Sequence, residues 1–431
     1  MSTQKAIQKS YQCLNTVYVD GAFSNIALND LLNKTDKEDK SLVTKIVYGV
    51  LDNDIWLNFC IKKFATSVDR SIMVLLKIGA YCITKLNLPS AVAVNDCVEV
   101  LKKQGKKGMS GFVNAVLRNV ARTHEKDGFL LPPERLKSLS IQYSIPLWAL
   151  EKIDASYGSQ ITQGFASCNQ SPQTTIRINT NLHSIEQIRE LLEQNGTKWQ
   201  STLLPDALSV VGDVSAITEK TASTPMSLSA MLVARAVDPS PNEKILDCCA
   251  APGGKSVYMG NLCSTAKITS CDIYPHKIKL IEGYAKKMGA NNVTALQNDA
   301  TRLNENFIDA FDKVLLDAPC SGYGVLQSRP DVKVFRKKSD VAVLAEMQRK
   351  MLQIAKNYVK KGGLLVYSTC TVFEEENSQN VADFLKNNPE FTLCADKNPI
   401  KTAIPDKIGV QLLPHVHGID GFYYAVLKRK Q

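Results

Sequence analysis

Residues 244–256 read KILDCCAAPGGKS: a short apolar run, then a turn of small residues that leads into a helical stretch. Four more apolar runs follow, separated by helical stretches, at residues 267–273, 293–297, 313–316 and 364–367. Strands that alternate with helices in this way are typical of a parallel, doubly wound sheet. Ligands of such sheets bind just beyond the carboxyl ends of the strands. The residues that end each run are therefore the first candidates for a functional site.

The chain before this sheet has a different pattern. In residues 1–128 apolar side chains recur every three or four positions, which predicts an all-helical domain. Residues 129–220 combine an alternating run at 175–178 with a capped amphipathic helix at 184–194, which predicts a small mixed α/β connector. We therefore predict three domains, the last of which, residues 221–431, is a Rossmann-like α/β domain.

Composition excludes several classes of protein. The chain has 431 residues, of which 44% are hydrophobic, so it is long enough for several buried cores. No apolar run approaches the roughly 18 uncharged residues of a membrane span. The start, MSTQKAIQKSYQCL, lacks the apolar region of a signal peptide. We expect a soluble, monomeric, cytoplasmic protein.

The cysteines and histidines do not have the spacing of a metal site. Twelve cysteines form no Cys-x-x-Cys pair, and the five histidines are scattered. In a long chain without a leader these cysteines are expected to be thiols. We therefore expect no structural metal.

The net charge of +10 favours a polyanionic partner such as nucleic acid. Over residues 1–130 there are 18 Lys and Arg residues against 12 Asp and Glu residues, so the excess is concentrated in the helical part. A cluster of four lysines, Lys102, Lys103, Lys106 and Lys107, is either a phosphate-contacting patch or a solvated helix end.

The ends of the first three runs predict a nucleoside site. Residues 254–256 read GKS, but a triphosphate-binding loop needs a glycine where Cys249 stands, and no G-x-G-x-x-G motif occurs. Asp272 lies 19 residues beyond Gly253, where an acid can bind ribose hydroxyls, and residues 298–299, Asn-Asp, end the next run. A nucleoside site without a phosphate cradle indicates S-adenosylmethionine as the cofactor.

The last two runs each end near a thiol. Residues 317–322 read DAPCSG and residues 367–371 read YSTCT, so Cys320 and Cys370 follow neighbouring strands. Cytosine C5 becomes a nucleophile only after a thiolate adds at C6, and the reaction also needs groups that share a proton near N3 and remove the C5 proton. Asp317 and the second cysteine are available for these tasks. Chemistry alone leaves open which thiol attacks.

The ordered motifs CAAPGGK, DAPCSG, YSTCT with the following Glu375-Glu376-Asn377, and the terminal DGFYYAVLK resemble those of the bacterial RNA cytosine-5 methyltransferases of the Sun/Fmu (RsmB) family. The resemblance covers almost the whole chain, because residues 1–128 are similar to the NusB-like helical domain of this family. It implies an enzyme that forms 5-methylcytosine in 16S ribosomal RNA through a covalent cysteine–C6 adduct.

The resemblance also implies roles for individual residues. Cys370, in the TC motif, is similar to the nucleophile, and Cys320, in the PC motif, is similar to the thiol that assists product release. The cofactor positions implied are Cys249, Ala250, Ala251, Pro252, Gly253, Gly254, Lys255, Asp272, Asp299 and Asp317.

This chain also departs from the family. After DAPCSG the family often has paired arginines, where this chain has Gln327-Ser328; nearby basic residues, Lys333 among them, are candidate replacements for RNA contact. Two alternatives share much of the evidence. A tRNA or DNA cytosine-5 methyltransferase would need the same catalytic residues, and a non-catalytic RNA-binding or antitermination factor would need only the first domain.

Overall fold

A computed structural model describes residues 3–22, 24–168, 174–394 and 408–431. The chain forms two compact units. The first comprises Met1–Asn169 together with Leu326–Arg336, and the second comprises Gln170–Val325 together with Lys337–Gln431. A short segment from late in the chain therefore belongs to the N-terminal unit.

The first unit is helical. Its helices are α1 (Thr3–Tyr18), α2 (Ser24–Asn33), α3 (Lys37–Asp52), α4 (Asp54–Lys62), α5 (Arg70–Thr84), α6 (Ser90–Lys103), α7 (Ser110–Lys126), α8 (Arg135–Tyr143) and α9 (Leu147–Ser167), with a 3₁₀ turn at Lys107–Met109. The amphipathic helices α1 to α7 turn one face to a common core; on α1 that face includes Ile7, Leu14 and Val17. Asp69 caps the N-terminus of helix α5, and its side chain accepts hydrogen bonds from the amides of Ser71 and Ile72. The all-helical prediction is confirmed.

The segment Leu326–Arg336 completes this helical unit. Lys333 is 3% exposed, and its Nζ donates to the carboxylate of Asp52 at 2.6 Å and to the Asp52 carbonyl at 2.8 Å. Val334 packs against the apolar core, and the ring of Phe335 lies 5.8 Å from that of Tyr18. Burial lowers the pKa of Lys333, although Asp52 opposes the shift. Lys333 is therefore part of the interior of this unit and is not an exposed RNA contact.

The second unit contains two sheets. Its strands are β1 (Thr174–Ile178), β2 (Lys198–Ser201), β3 (Ala207–Val211), β4 (Ser223–Pro225), β5 (Lys244–Asp247), β6 (Lys267–Asp272), β7 (Val293–Gln297), β8 (Phe311–Asp317), β9 (Val359–Thr369), β10 (Phe391–Leu393), β11 (Val410–Leu412) and β12 (Phe422–Arg429). Its helices are α10 (Ile185–Gln194), α11 (Ser215–Lys220), α12 (Leu228–Val237), α13 (Gly254–Leu262), α14 (Pro275–Lys287), α16 (Lys338–Ala355), α17 (Ser378–Asn387) and α18 (Pro414–His417), while α15 (Asp331–Phe335) lies in the first unit. Further 3₁₀ turns occupy Glu305–Phe307, Lys356–Tyr358 and Glu374–Glu376.

The smaller sheet is the predicted connector. Its strand order is β2-β3-β1-β4, and its neighbours are antiparallel. Helix α10 starts with a capping box in which Ser184 and Gln187 each bind the other's backbone amide. The apolar face of this helix packs Ile188 and Leu192 against the sheet residues Ile176 and Leu208. The mixed α/β connector is confirmed.

The larger sheet has the order β10-β12-β9-β8-β5-β6-β7, with β11 paired to β12. Strands β5 to β9 run parallel, whereas β10, β11 and β12 are antiparallel to their neighbours. Alternate residues face opposite cores: Ile245 packs with α12 and α13, and Leu246 packs with α16. The five predicted strands and the Rossmann-like fold are confirmed, but the sheet is mixed rather than purely parallel.

The described residues contain neither a helix suited to span a membrane nor a cluster of metal-binding side chains. Within residues 3–22, 24–168, 174–394 and 408–431, no helix has the length and apolar character needed to cross a lipid bilayer. The same ranges hold no cluster of three or more His, Cys, Asp or Glu side chains able to bind a metal ion.

Candidate active site

The turn after β5 lies where the strand order of the large sheet reverses. Strand β5 pairs with β6 on one side and with β8 on the other, and the strand order reverses between β5 and β8. A crevice is expected at the carboxyl ends of the strands at such a reversal. The turn contains a cis peptide between Ala251 and Pro252, and Gly253 adopts φ +108°. A Cβ at Gly253 would lie 3.3 Å from the Cα of Ile281, so glycine lets α13 and α14 approach closely.

A buried carboxylate supports this turn from below. Asp247, at the end of β5, is 1% exposed; its Oδ2 accepts from Ser256 Oγ at 2.6 Å, and its Oδ1 accepts from the Cys249 amide at 3.4 Å. Burial raises the pKa of Asp247 to about 7, against the hydrogen bond from Ser256, which lowers it. Asp247, the last residue of β5, thus ties the end of this strand to the first turn of α13.

The ends of β6 and β7 border a cavity of about 530 Å³, lined by Ile273, Asn298 and Asp299 among others. Asp272 precedes Ile273 at the end of β6; its Oδ1 accepts from the Tyr274 amide at 3.1 Å, and its Oδ2 lies 3.5 Å from Lys277 Nζ. Asp299 accepts from both the amide and the hydroxyl of Thr301. A cavity of this size, with an apolar wall and carboxylate and amide side chains beside it, fits a nucleoside such as the adenosine of S-adenosylmethionine.

An ion pair joins the helix after β5 to the end of β8, across the crevice. Lys255 Nζ lies 2.5 Å from Asp317 Oδ2, and Ser368 Oγ donates to Asp317 Oδ1 at 2.7 Å. Burial alone would lower the pKa of Lys255, but the charge of Asp317 and its hydrogen bond outweigh burial, so the pKa is raised. Each carboxylate oxygen of Asp317 thus accepts one hydrogen bond, from Lys255 on the helix after β5 or from Ser368 near the end of β9.

The structure brings the two predicted thiols into contact. Asp317 on β8 pairs in register with Ser368 on β9, so the loops after these strands leave the sheet side by side. The Cys320 and Cys370 sulfur atoms lie 3.1 Å apart, and the Cys370 amide donates to Cys320 Sγ at 3.2 Å. Both cysteines are partly exposed. Two thiols beside a lysine–aspartate pair form a site suited to nucleophilic and acid–base chemistry.

Two glycines hold the loop of Cys370 against the loop of Cys320. The Gly324 amide donates to the Cys370 carbonyl at 2.9 Å, and the Gly421 amide donates to the Gly324 carbonyl at 2.8 Å. A Cβ at Gly324 would lie 1.8 Å from the Gly421 carbonyl oxygen. This close approach explains in physical terms why the terminal DGF sequence belongs with the active-site motifs.

Sequence reasoning missed the polar cluster behind the thiols. Glu376, which is fully buried, accepts through Oε2 from the Ser321 amide and from Gln348 Nε2, both at 2.9 Å. Gln348 Nε2 also donates to the Pro319 carbonyl at 2.9 Å. Asn377 accepts from the Thr369 hydroxyl and donates to the Thr371 carbonyl, so it spans Cys370. Glu376 and Asn377 stood in a noted motif, whereas the sequence of α16 gave no signal for Gln348.

The lysine cluster of the helical unit divides into two pairs. Lys102 Nζ lies 2.7 Å from Glu99 Oε1, and Lys106 Nζ lies 3.6 Å from Asp69 Oδ1. Lys103 and Lys107 are exposed. The cluster is therefore partly neutralised by its own helices, and its role in RNA binding stays a prediction.

Comparisons with known proteins agree with this architecture. A family model described as "16S rRNA methyltransferase RsmB/F" matches residues 234–428, one of the NusB family matches residues 4–122, and one of an RsmF/B-like ferredoxin-like domain matches residues 145–216. The chain is 33% identical to the probable ribosomal RNA small subunit methyltransferase B of Bacillus subtilis, over 95% of each chain. It is 31% identical to the ribosomal RNA small subunit methyltransferase B of Citrobacter koseri, over the full length of both.

Solved structures share the fold. The crystal structure of PH0851 has a TM-score of 0.85 at 24% identity and covers 100% of this chain and 99% of its own. That of NSun6 from Pyrococcus horikoshii with SFG has a TM-score of 0.59 at 22% identity and covers 65% and 97%.

A Rossmann-like sheet, together with the methyltransferase family model over residues 234–428, defines the class as S-adenosylmethionine-dependent methyltransferases. Within that class, the full-length similarity assigns the chain more narrowly. The chain belongs to the ribosomal RNA small subunit methyltransferase B family.

Proposed function

We propose that this chain methylates C5 of a specific cytosine in 16S ribosomal RNA, through a covalent bond between Cys370 and C6 of the base. The observation that carries the proposal is the contact of the two sulfur atoms, 3.1 Å apart, at the ends of adjacent parallel strands. A methyltransferase that acts on oxygen or on an exocyclic nitrogen has no need of two adjacent thiols. Membership of the ribosomal RNA methyltransferase B family supports the choice of substrate.

Cys370 attacks and Cys320 assists release in this scheme. The Cys370 thiolate adds to C6, and the electron pair of the C5=C6 bond forms the new bond from C5 to the methyl carbon. S-adenosylmethionine would supply that carbon, and the electrons of the broken methyl–sulfur bond would stay on the sulfur of the departing S-adenosylhomocysteine. A base then removes the C5 proton, the C5=C6 bond re-forms, and the C6–S bond breaks with its electrons on the Cys370 sulfur. Cys320, in contact with that sulfur, stabilises it as it departs.

Asp317 and Lys255 supply a proton or hydrogen bond to N3 of the cytosine. Attack at C6 develops negative charge on the pyrimidine ring, which a proton or hydrogen bond at N3 relieves. The pair of Lys255 and Asp317 carries such a proton between two atoms 2.5 Å apart, and Ser368 fixes the other carboxylate oxygen. We therefore assign proton sharing at N3 to Asp317, with Lys255 as the neighbouring cation.

The cofactor residues are assigned by their place around the cavity and the first turn. S-adenosylmethionine, when bound, supplies the methyl group as an electrophile. Asp272 would bind the ribose hydroxyls, Asp299 and its neighbours would bind the adenine end, and residues 249–255 would lie against the methionine end. The NSun6 neighbour solved with SFG, an S-adenosylmethionine analogue, supports this cofactor.

The test blocks each thiol in turn. Purified Cys370→Ala and Cys320→Ala variants are incubated with 16S ribosomal RNA and S-adenosylmethionine and run on a denaturing gel. Cys370→Ala should give neither methylation nor a covalent complex, whereas Cys320→Ala should accumulate a protein–RNA complex that survives denaturation. Retention of the complex by Cys370→Ala and its loss in Cys320→Ala would reverse the two roles.

The same reactions decide the substrate. Bisulfite sequencing of 16S ribosomal RNA and of tRNA after incubation with the wild-type enzyme should place 5-methylcytosine at one position in the ribosomal RNA. Modification of tRNA alone would favour the tRNA enzyme, and RNA binding without modification would favour a non-catalytic factor.

A further inference from the structure

A buried carboxylate stands directly behind Cys320. Glu376 lies in the 3₁₀ turn after β9 and has no exposed surface. Its Oε2 accepts from the Ser321 amide, which follows Cys320, and from the side chain of Gln348, which also binds the carbonyl of Pro319, before Cys320. The two peptide groups that flank the thiol are therefore held by one Glu–Gln pair.

The Glu–Gln pair is itself fixed from several sides. The Tyr367 hydroxyl donates to the Glu376 carbonyl at 2.5 Å, and its oxygen lies 3.2 Å from Gln348 Oε1. Asn380 Nδ2 donates to Gln348 Oε1 at 3.1 Å. Because the amide oxygen of Gln348 accepts from Asn380, its NH₂ group is oriented toward Glu376 and Pro319. These contacts restrain the Glu–Gln pair and, through it, the loop of Cys320.

We propose that Glu376 is a positioning residue for Cys320. Glu376 fixes the loop on both sides of this thiol, and its negative charge keeps the proton shared by the two sulfur atoms on Cys320. The inference rests on the proposed function, in which Cys370 is the attacking sulfur. A carboxylate behind Cys320 disfavours a second negative charge there, so the S–H remains on Cys320 and points its hydrogen bond at Cys370. The same S–H then stabilises the Cys370 sulfur when the C6–S bond breaks.

The charged and titratable groups around Cys320 agree in sign. They are Cys370 from the end of β9, Glu376 from the following turn and Asp317 from the end of β8. The hydrogen bond with Cys370 is the largest influence, followed by burial and the charges of these groups, and together they raise the pKa of Cys320 well above its usual value. Lys255, the nearby cation, is paired with Asp317.

Two substitutions separate charge from position. Glu376→Gln keeps an acceptor for the Ser321 amide and removes the charge, while Glu376→Asp keeps the charge and shortens the side chain by one methylene. Glu346→Gln is the control, because Glu346 is an exposed carboxylate on the same helix as Gln348 and pairs at the surface with Arg349. Arg349 also donates to Asn380 at 2.9 Å, so this control shows whether a change at the surface reaches the network. Circular dichroism and cofactor binding check that each variant is folded.

The first readout needs neither RNA nor cofactor. Iodoacetamide labelling is followed by mass spectrometry at each cysteine over pH 6–10, and the ratio of the initial rates at Cys370 and Cys320 is measured. Glu376→Gln should lower this ratio by about tenfold, the effect of one pKa unit, whereas Glu376→Asp and Glu346→Gln should leave it near the wild-type value. An unchanged ratio in folded Glu376→Gln overturns the role assigned to its charge.

The second readout follows the reaction. Glu376→Asp should slow methyl transfer at least about tenfold with normal cofactor affinity, because the Cys320 loop is no longer held on both sides. Glu376→Gln should prolong the covalent protein–RNA complex. Wild-type turnover by Glu376→Asp overturns the positioning role. If Glu376→Gln does not fold, the methyl-transfer rate of Glu376→Asp alone tests the proposal. A failure of the proposed function, by contrast, appears as loss of the covalent complex in Cys320→Ala while Glu376→Gln still lowers the labelling ratio.

Discussion

Gly324→Ala tests whether the close approach of two backbones holds the active-site loops. The added Cβ would lie 1.8 Å from the Gly421 carbonyl oxygen, 2.5 Å from the Gly421 carbonyl carbon and 2.9 Å from the Cys370 carbonyl oxygen. Real Cβ contacts essentially never fall below 3.0 Å, so the two chains must separate by about 1.2 Å or more. Neither neighbour is a flexible side chain that can rotate away.

The expected effects follow from that displacement. Overpacking of this kind costs about 3 kcal/mol, which lowers the melting temperature of a unit this size by roughly 6 to 12 °C. Because the Gly324 amide binds the Cys370 carbonyl directly, the sulfur of Cys370, the proposed nucleophile, also moves, and a misplacement of about 1 Å costs roughly a hundredfold in rate. Calorimetry and transfer of labelled methyl groups to 16S ribosomal RNA measure the two quantities.

Gly283→Ala is the control for this substitution. Gly283 is exposed within α14, and its added Cβ would meet no atom within 4 Å. Alanine in a helix is favoured over glycine by about 1 kcal/mol, so this variant should melt slightly higher than wild type and retain full activity. Wild-type stability and turnover in Gly324→Ala would refute the claim that the contact of Gly324 with Gly421 is needed.

Three further predictions concern the cofactor, the RNA and pH. Asp272→Ala should weaken S-adenosylmethionine binding by about ten to a hundredfold in calorimetry, and unchanged affinity would remove Asp272 from the site. Lys103→Glu with Lys107→Glu should weaken RNA binding and lower its salt slope by roughly 1 to 2 without affecting cofactor affinity; an unchanged slope would make the cluster a solvated surface. Asp247 has a pKa of about 7 in the folded chain against 3.8 ordinarily, so its contribution to the free energy of unfolding falls as pH rises from about 4 to 7, by at most about 1.4 kcal/mol per pH unit. Urea unfolding at pH 5 and 7 should show a smaller fall for Asp247→Asn, and parallel curves would contradict the assignment.

The central strands were predictable because local pattern and burial agree there. Strands β5 to β9 are short apolar runs between helices, and parallel strands covered on both faces have that composition. The antiparallel strand β12 was not predicted, although residues 422–429 form a similar run. Its direction depends on which neighbour it pairs with, β9 in this case, and periodicity contains no information on that pairing.

The site was predictable only to the extent that its residues lie at strand ends. Asp272 and Asp317 end their strands, and Cys320 and Cys370 follow theirs closely, so topology alone places all four on one edge of the sheet. Gln348 is about 30 residues from both loops that it joins, and only tertiary packing brings it there. Lys333 likewise reads as a solvated cation until its burial against Asp52 is seen.

The insertion of Leu326–Arg336 into the helical unit sets an order of events during protein synthesis. The helices α1 to α9 leave the ribosome long before the segment that completes their core, because about 160 residues separate Asn169 from Leu326. At roughly 5 to 20 residues per second, that interval lasts roughly 10 to 30 s. During this time Asp52 lacks its partner Lys333. The N-terminal unit therefore reaches its final stability only after four of the eight strands of the large sheet, β5 to β8, have been synthesised. The N-terminal unit therefore cannot complete its folding before much of the second unit has been synthesised, even though most of its residues come first in the chain.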